Sequence, residues 1–307
     1  MNDDRFETFD RRFRRYTVGT EHIEVLHRGT RWAEGPVYFP AGRYLLWSDI
    51  PNDQVLRYDE TDDSVSVFLR GAGHHNGHTI DREGRLVSCE HSGRRVSRIE
   101  IDGSVTTLAS HVDGKRLNSP NDVVVKSDGT IWFTDPTYGI DGDYEGRGAA
   151  SEIGGAHVYR LDPASGEVRA VATDFVMPNG LAFSPDERLL YIADTGATHV
   201  EDGPRHIRVF AVGEDGALSG GELFAESSCG LFDGFRVDVD GNLWTSAGDG
   251  VHCLTPEGEL IGKILTGETV ANVEFGGPRR NRLFICATTT LRAMYVRTRA
   301  APRGGRA

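Results

Sequence analysis

The sequence predicts an all-β protein, a six-bladed β-propeller with four antiparallel strands per blade and a ring closed by an N-terminal strand. Three observations carry this. One unit recurs six times along the 307 residues. Turn formers are dense, with 38 glycines and 12 prolines and no collagen period. No helical period is sustained, apart from a short helix expected near residues 6–13.

Each copy of the unit begins with a polar residue and runs through a short strand, a turn and a second strand. The starts are Glu34, Asn76, Asn121, Asn179, Asp233 and Asn272, at intervals of 42, 45, 58, 54 and 39 residues. Such intervals suit one propeller blade each. An aromatic or apolar residue follows every start by 11 to 13 positions: Trp47, Val87, Trp132, Tyr191, Trp244 and Phe284. These six read as packing between blades. Two further strand-like runs follow most copies, as QVLRYDE and SVSVFL follow the first.

The sixth copy lacks a fourth strand, and residues 23–29 (IEVLHRG) supply a candidate from the other end of the chain. Pairing the two ends leaves no long sheet edge open. The expected organisation is an N-terminal extension over 1–20, one propeller over 21–298 and a mobile tail over 299–307.

Composition narrows the function. With 46 acidic and 34 basic residues the net charge is −12, which argues against nucleic-acid and anionic-membrane partners. No run approaches the roughly 20 apolar residues of a membrane helix. The first 20 residues are polar, without the apolar core of a secretory signal, so a cytoplasmic protein is expected. Cys89, Cys229, Cys253 and Cys286 are scattered with no CxxC pair. They read as separate thiols and not as a zinc site.

A blade's first strand lines the channel, so the six starting residues form a ring at one mouth. All six carry side-chain oxygens and none is basic. One reading is turn chemistry, since Asn-Gly and Asp-Gly commonly open turns. The other is a hard-cation site, because calcium takes oxygen ligands from carboxylates, amides and water. With no His or Cys in the ring, zinc is not favoured by ligand chemistry. His78 stands two residues after Asn76, on the same side of an ideal strand. It reads either as a substrate contact or proton relay with Asn76, or as a packed imidazole. Extra residues at 140–156 and 198–205 both fall between the second and third strands of their blades. Chain reversal brings both to the mouth that carries the ring. They are expected to cover the site, with Tyr138 and Tyr144 facing the ligand.

At these residues the chain resembles the gluconolactonase, senescence-marker-protein and regucalcin family of six-bladed propellers. The resemblance rests on four motifs in order: Glu34-Gly35-Pro36, Ser119-Pro120-Asn121-Asp122, Pro178-Asn179-Gly180-Leu181 and Asp233-Gly234. The stretch from Asn76 through Cys89, Glu90 and His91 is similar to the bacterial gluconolactonase branch. The resemblance implies one divalent ion held by Glu34, Asn179 and Asp233. Calcium comes first, with zinc, magnesium and manganese as alternatives. Asn121 would contact metal or substrate. It further implies hydrolysis of a small-molecule sugar-acid lactone, with Asp233 as general base. Where the mammalian branch has a substrate-holding arginine two residues before Asn121, this chain has Ser119. Two other readings share the fold: a calcium-binding regulatory or scaffold propeller, and a paraoxonase-like esterase with broader ester scope.

Overall fold

The computed structural model describes residues 5–302 and contains the six predicted blades. Blade 1 comprises Ala33–Phe39, Tyr44–Asp49, Gln54–Asp59 and Ser64–Arg70; blade 2 comprises His75–Ile80, Leu86–Glu90, Arg95–Ile99 and Val105–Ala109. Blade 3 is built from Val123–Val125, Ile131–Asp135, Ala156–Asp162 and Glu167–Phe175. Blade 4 runs through Pro178–Phe183, Leu189–Asp194, His206–Val212 and Leu218–Glu226. Blade 5 holds Phe235–Val237, Leu243–Ser246, Gly250–Leu254 and Leu260–Leu265, and blade 6 holds Val270–Gly276, Arg282–Ala287 and Thr290–Tyr295. Neighbouring strands within every blade are antiparallel. The first strand of each blade touches the first strands of both neighbouring blades, and blade 6 closes onto blade 1.

Six apolar clusters hold the ring together, one at each blade junction. Tyr38, Leu45 and Trp47 of blade 1 pack on Phe284 and Leu291 of blade 6, while Val37 and Leu46 pack on Leu86 of blade 2. Val87 and Cys89 meet Phe133 and Tyr159; Trp132 and Val158 meet Leu181 and Ile192. Tyr191 and Ala193 meet Phe235 and Leu243, and Trp244 meets Val273 and Ile285. The predicted column is therefore buried throughout, from Trp47 to Phe284. Two of its indoles are satisfied locally, Trp132 donating to Thr130 Oγ1 at 2.9 Å and Trp244 to Asp238 Oδ2 at 3.0 Å. Emptying such a junction by Trp→Ala typically costs about 3–5 kcal/mol.

Glu24–Arg28 completes blade 6, pairing antiparallel with Thr290–Tyr295, as the sequence predicts. The short helix expected at 6–13 is not formed. Phe6–Thr8 instead pairs with the last strand of blade 5 as a fifth strand, which satisfies an otherwise open edge. A 3-10 helix follows at Arg11–Arg15, capped by Asp10, whose carboxylate accepts from Arg12 N at 2.8 Å. Phe13 is fully buried against Gly262, where a side chain on the glycine would strike its ring. At the other end Ala300 bridges Asp238, and Ala301 N donates to Val237 O at 3.0 Å. Of the expected mobile tail, 303–307 lies outside the described residues.

Candidate active site

The residue after a ring member decides how closely the blades approach. A Cβ on Gly35 would collide with the Asn76 carbonyl, on Gly77 with that of Asn121, on Gly180 with that of Asp233 and on Gly234 with the Asn272 side chain. The oxygen-then-glycine pairs therefore reflect crowding at the narrow axis, where each blade's backbone meets the next. Gly77 N donates to Asn121 O and Gly234 N to Ala271 O, both at 2.8 Å. In blade 3 the glycine's place is taken by Asp122, buried and with Oδ2 lacking any hydrogen-bond partner.

Five ring members, Glu34, Asn76, Asn121, Asn179 and Asp233, line a single cavity of about 290 Å³. The sixth does not reach it. Asn272 is buried, and its Nδ2 donates to Glu34 Oε2 at 2.9 Å; Gly35 N donates to the same oxygen. Two of the other amides are tethered through their NH2 groups too. Asn179 Nδ2 donates to Thr195 Oγ1 at 3.3 Å, and Asn76 Nδ2 lies 3.1 Å from His91 Nε2. With the NH2 occupied, the side-chain oxygen of each is left to accept or to ligate.

His78 is not among the lining residues. It is fully buried, with Nε2 2.9 Å from Ser48 Oγ and Nδ1 2.7 Å from Ser88 Oγ. The ideal alternation that placed it beside Asn76 fails because the register shifts between His75 and His78. Of the two readings of this residue, the packed imidazole is the one found.

Electrostatically the cavity is one-sided. Glu34 is buried and Asp233 half-buried at the same cavity, and no Lys or Arg lines it. Burial, followed by the Asp122 charge, pushes the Glu34 carboxyl well above its ordinary range, against the pull of its bonds to Gly35 and Asn272. Burial also pushes Asp233 up, with Glu34, Asp122 and Glu145 adding to it. Two like charges at one cavity with no cation in its lining are costly. That donor chemistry fits a divalent cation held by Glu34 and Asp233 with amide oxygens alongside. Among the described residues no three His, Cys, Asp or Glu side chains converge as a cluster, so amides are needed to complete any ligand set.

Both insertions reach this mouth, as expected. Glu145 from the first and Thr198 from the second line the cavity, with Tyr138 and Thr195 at their bases. Tyr138 OH lies 2.7 Å from Thr195 Oγ1 and 2.8 Å from Thr198 Oγ1, and His199 Nε2 lies 2.8 Å from Asp141 Oδ2, clasping one insertion to the other. Tyr144 points elsewhere: it is exposed and does not line the cavity. Sequence reasoning missed Glu145, Thr195, Thr198 and Trp32, which belong to no repeating position. It also missed His91, whose neighbours are Asn76 and the Glu145 carbonyl, 2.9 Å from Nδ1. Their only available signal was placement near an insertion or a ring start.

Comparison with known proteins gives the family of the chain. A family model described as SMP-30/gluconolactonase/LRE-like region matches residues 32–289. A gluconolactonase of Zymomonas mobilis is 30% identical, the match covering 90% of this chain and 81% of that one. A pentonolactonase of Haloferax volcanii is 32% identical, covering 85% and 83%. The solved structure of a Xanthomonas campestris gluconolactonase superposes with a TM-score of 0.89 at 38% identity, covering 95% of each chain.

Proposed function

Since the chain belongs to the SMP-30/gluconolactonase/LRE-like family, we propose that it opens a sugar-acid lactone of the gluconolactone type to the aldonic acid, with a divalent metal at the ring. It is a lactone hydrolase by its relatives, a gluconolactonase and a pentonolactonase. The observation that carries the metal-dependent reading is the pair of raised carboxyls Glu34 and Asp233 in one cavity, uncompensated by any lining cation and flanked by asparagine side chains.

Glu34, Asn179 and Asp233 would hold the ion, with Asn121 beside them, and calcium suits an all-oxygen donor set. When bound, the ion supplies Lewis-acid polarisation of the lactone carbonyl and lowers the cost of the leaving alkoxide. Asp233 accepts the proton of the attacking water and passes it to the ring oxygen as the C–O bond breaks, so the aldonic acid forms with no covalent intermediate. Asn76 and Asn121 bind sugar hydroxyls through their amides. Asn272 keeps Glu34 in place from below, through the bond already described. Tyr138, with its hydroxyl fixed between two threonines, forms a rigid wall on which the sugar lies.

The acidic composition and four free cysteines, three of them buried, suit a reducing cytoplasm. No helix among the described residues is long and apolar enough to cross a membrane. The test is proton release from gluconolactone in a pH-stat, before and after chelation and with calcium, magnesium, manganese or zinc restored. Metal-dependent release above the spontaneous rate is expected. Full activity in thoroughly metal-free protein overturns the metal's role, and no activity with any ion overturns the lactonase reading.

A further inference from the structure

We infer that Glu145 is a specificity residue that selects uncharged lactones and turns away those carrying an anionic group on the exocyclic carbon, such as a phosphate or sulfonate. The inference rests on the lactonase reading and adds a substrate class to it.

Glu145 is the one carboxylate of the cavity that lies outside the ring. It comes from the insertion over the mouth, close enough for its charge to be felt at Asp233. The place of Glu145 is fixed by its backbone. Its carbonyl is held by His91 Nδ1, Arg147 N donates to Gly139 O at 2.9 Å, and a side chain on Gly146 would collide with that same Gly139 carbonyl. His91 in turn reaches Asn76, so a ring member and the insertion share one rigid connection. Burial holds His91 down to about 4, so the ring stays neutral and offers Glu145 no counter-charge.

Nor does any other group neutralise it. Among the described residues the Glu145 carboxylate makes no hydrogen bond or ion pair, and burial, followed by the charge of Asp141, pushes it up to about 7, so it is ionised above that pH and loses its charge as pH falls through it. Asp141 is itself paired with His199. A divalent ion would balance Glu34 and Asp233 and, above about pH 7, leave one negative charge, that of Glu145, in the cavity lining. A hydroxymethyl group can donate a hydrogen bond to that carboxylate. A phosphate or sulfonate there meets like charge in a half-enclosed site, where screening is weak.

The experiment compares kcat/KM for gluconolactone and for its 6-phosphate at about pH 8, where Glu145 is ionised, in the metal-loaded protein and in the variants E145Q and E145K. Wild type is expected to favour the neutral lactone. E145Q should raise the phosphate-to-neutral ratio about fivefold, and E145K about fiftyfold, mostly through KM. An unchanged ratio in both variants overturns this inference while neutral-lactone activity upholds the lactonase reading. Wild type inactive on both lactones overturns the reading and the inference with it. A second arm needs no variant: the wild-type ratio should rise with ionic strength as the repulsion is screened, and a ratio independent of salt overturns the proposal.

Discussion

The channel has two mouths, and they treat acids in opposite ways. At the far mouth, where the first strands end, a cavity of about 330 Å³ is lined by Asp81, Glu187 and Glu274. Each of these has a cation from the chain beside it. Glu274 takes Arg236 Nε at 3.0 Å, Glu187 lies 3.4 Å from Lys126 Nζ, and Asp81 lies 2.7 Å from Arg85 Nε. At the ring mouth Glu34, Asp233 and Glu145 have no such neighbour in the lining. Arg236 reaches Glu34 from below only as the weakest of the influences on it. The same fold thus can neutralise channel acids internally and does so at one end. Acids left uncompensated at the other end suit a positive charge that arrives from solution.

The contrast breaks most severely at Asp233. Asp233→Asn keeps an oxygen donor and removes the proton acceptor. Turnover at saturating metal should fall at least about a hundredfold, read by pH-stat, while bound metal measured by elemental analysis persists. Near-normal turnover would remove Asp233 as the base. Glu34→Gln, by contrast, should weaken metal binding, with partial rescue by excess ion.

Support from beneath comes next. Asn272→Ala deletes the donor to Glu34 without touching the cavity wall, so metal affinity should drop roughly tenfold, with kcat at saturating metal largely kept. Isothermal titration with calcium separates this from a change in chemistry.

Acidity then sharpens the comparison. Glu34 and Asp233 both bind their protons more tightly folded than unfolded in the metal-free state. The folded state therefore holds more protons once pH exceeds the ordinary carboxylate range, and stability falls as pH rises from there toward the raised values. Thermal melts of chelated protein should show Tm declining between about pH 5 and pH 8. Saturating calcium should flatten that decline by holding both groups ionised, and should raise Tm by mass action. A chelated protein whose Tm is constant over this range contradicts the electrostatic account.

The smallest effect belongs to the far mouth. Lys126→Met removes a cation from Glu187 and should lower stability by about 1 kcal/mol or less, as for partly exposed pairs. Lactone hydrolysis should change less than about twofold. A large loss of activity would mean that the two mouths communicate.

The sequence revealed what repeats. Six start residues and a buried column are periodic, and periodicity survives any local detail, so blade number and ring were legible before any coordinates. What repeats could still mislead in its particulars. Asn272 occupies a ring position yet supports Glu34 instead of facing the cavity, because one amide at 2.9 Å is enough to turn it inward. His78 obeyed strand alternation on paper, and a bulge undid it. Glu145 and Thr198 come from unique insertions, where side-chain direction depends on a few backbone bonds that no period encodes. The insertions themselves were legible by length and strand count, the residues within them were not, and Tyr144 and Glu145 are adjacent in sequence but only the second enters the cavity. The N-terminal strand at Phe6–Thr8 escaped for a different reason: three residues are too few to show alternation.

The closure of blade 6 also sets a schedule for synthesis. Arg28 pairs with Thr290, so a strand made early completes the blade made last. At about 5–20 residues per second, ribosomal elongation separates the two by more than ten seconds. Throughout that interval Glu24–Arg28 has no blade to join, while the growing blades keep an open flank. Closure of the ring is thereby deferred until the last strands of blade 6 are made, and Glu24–Arg28 must be shielded until then.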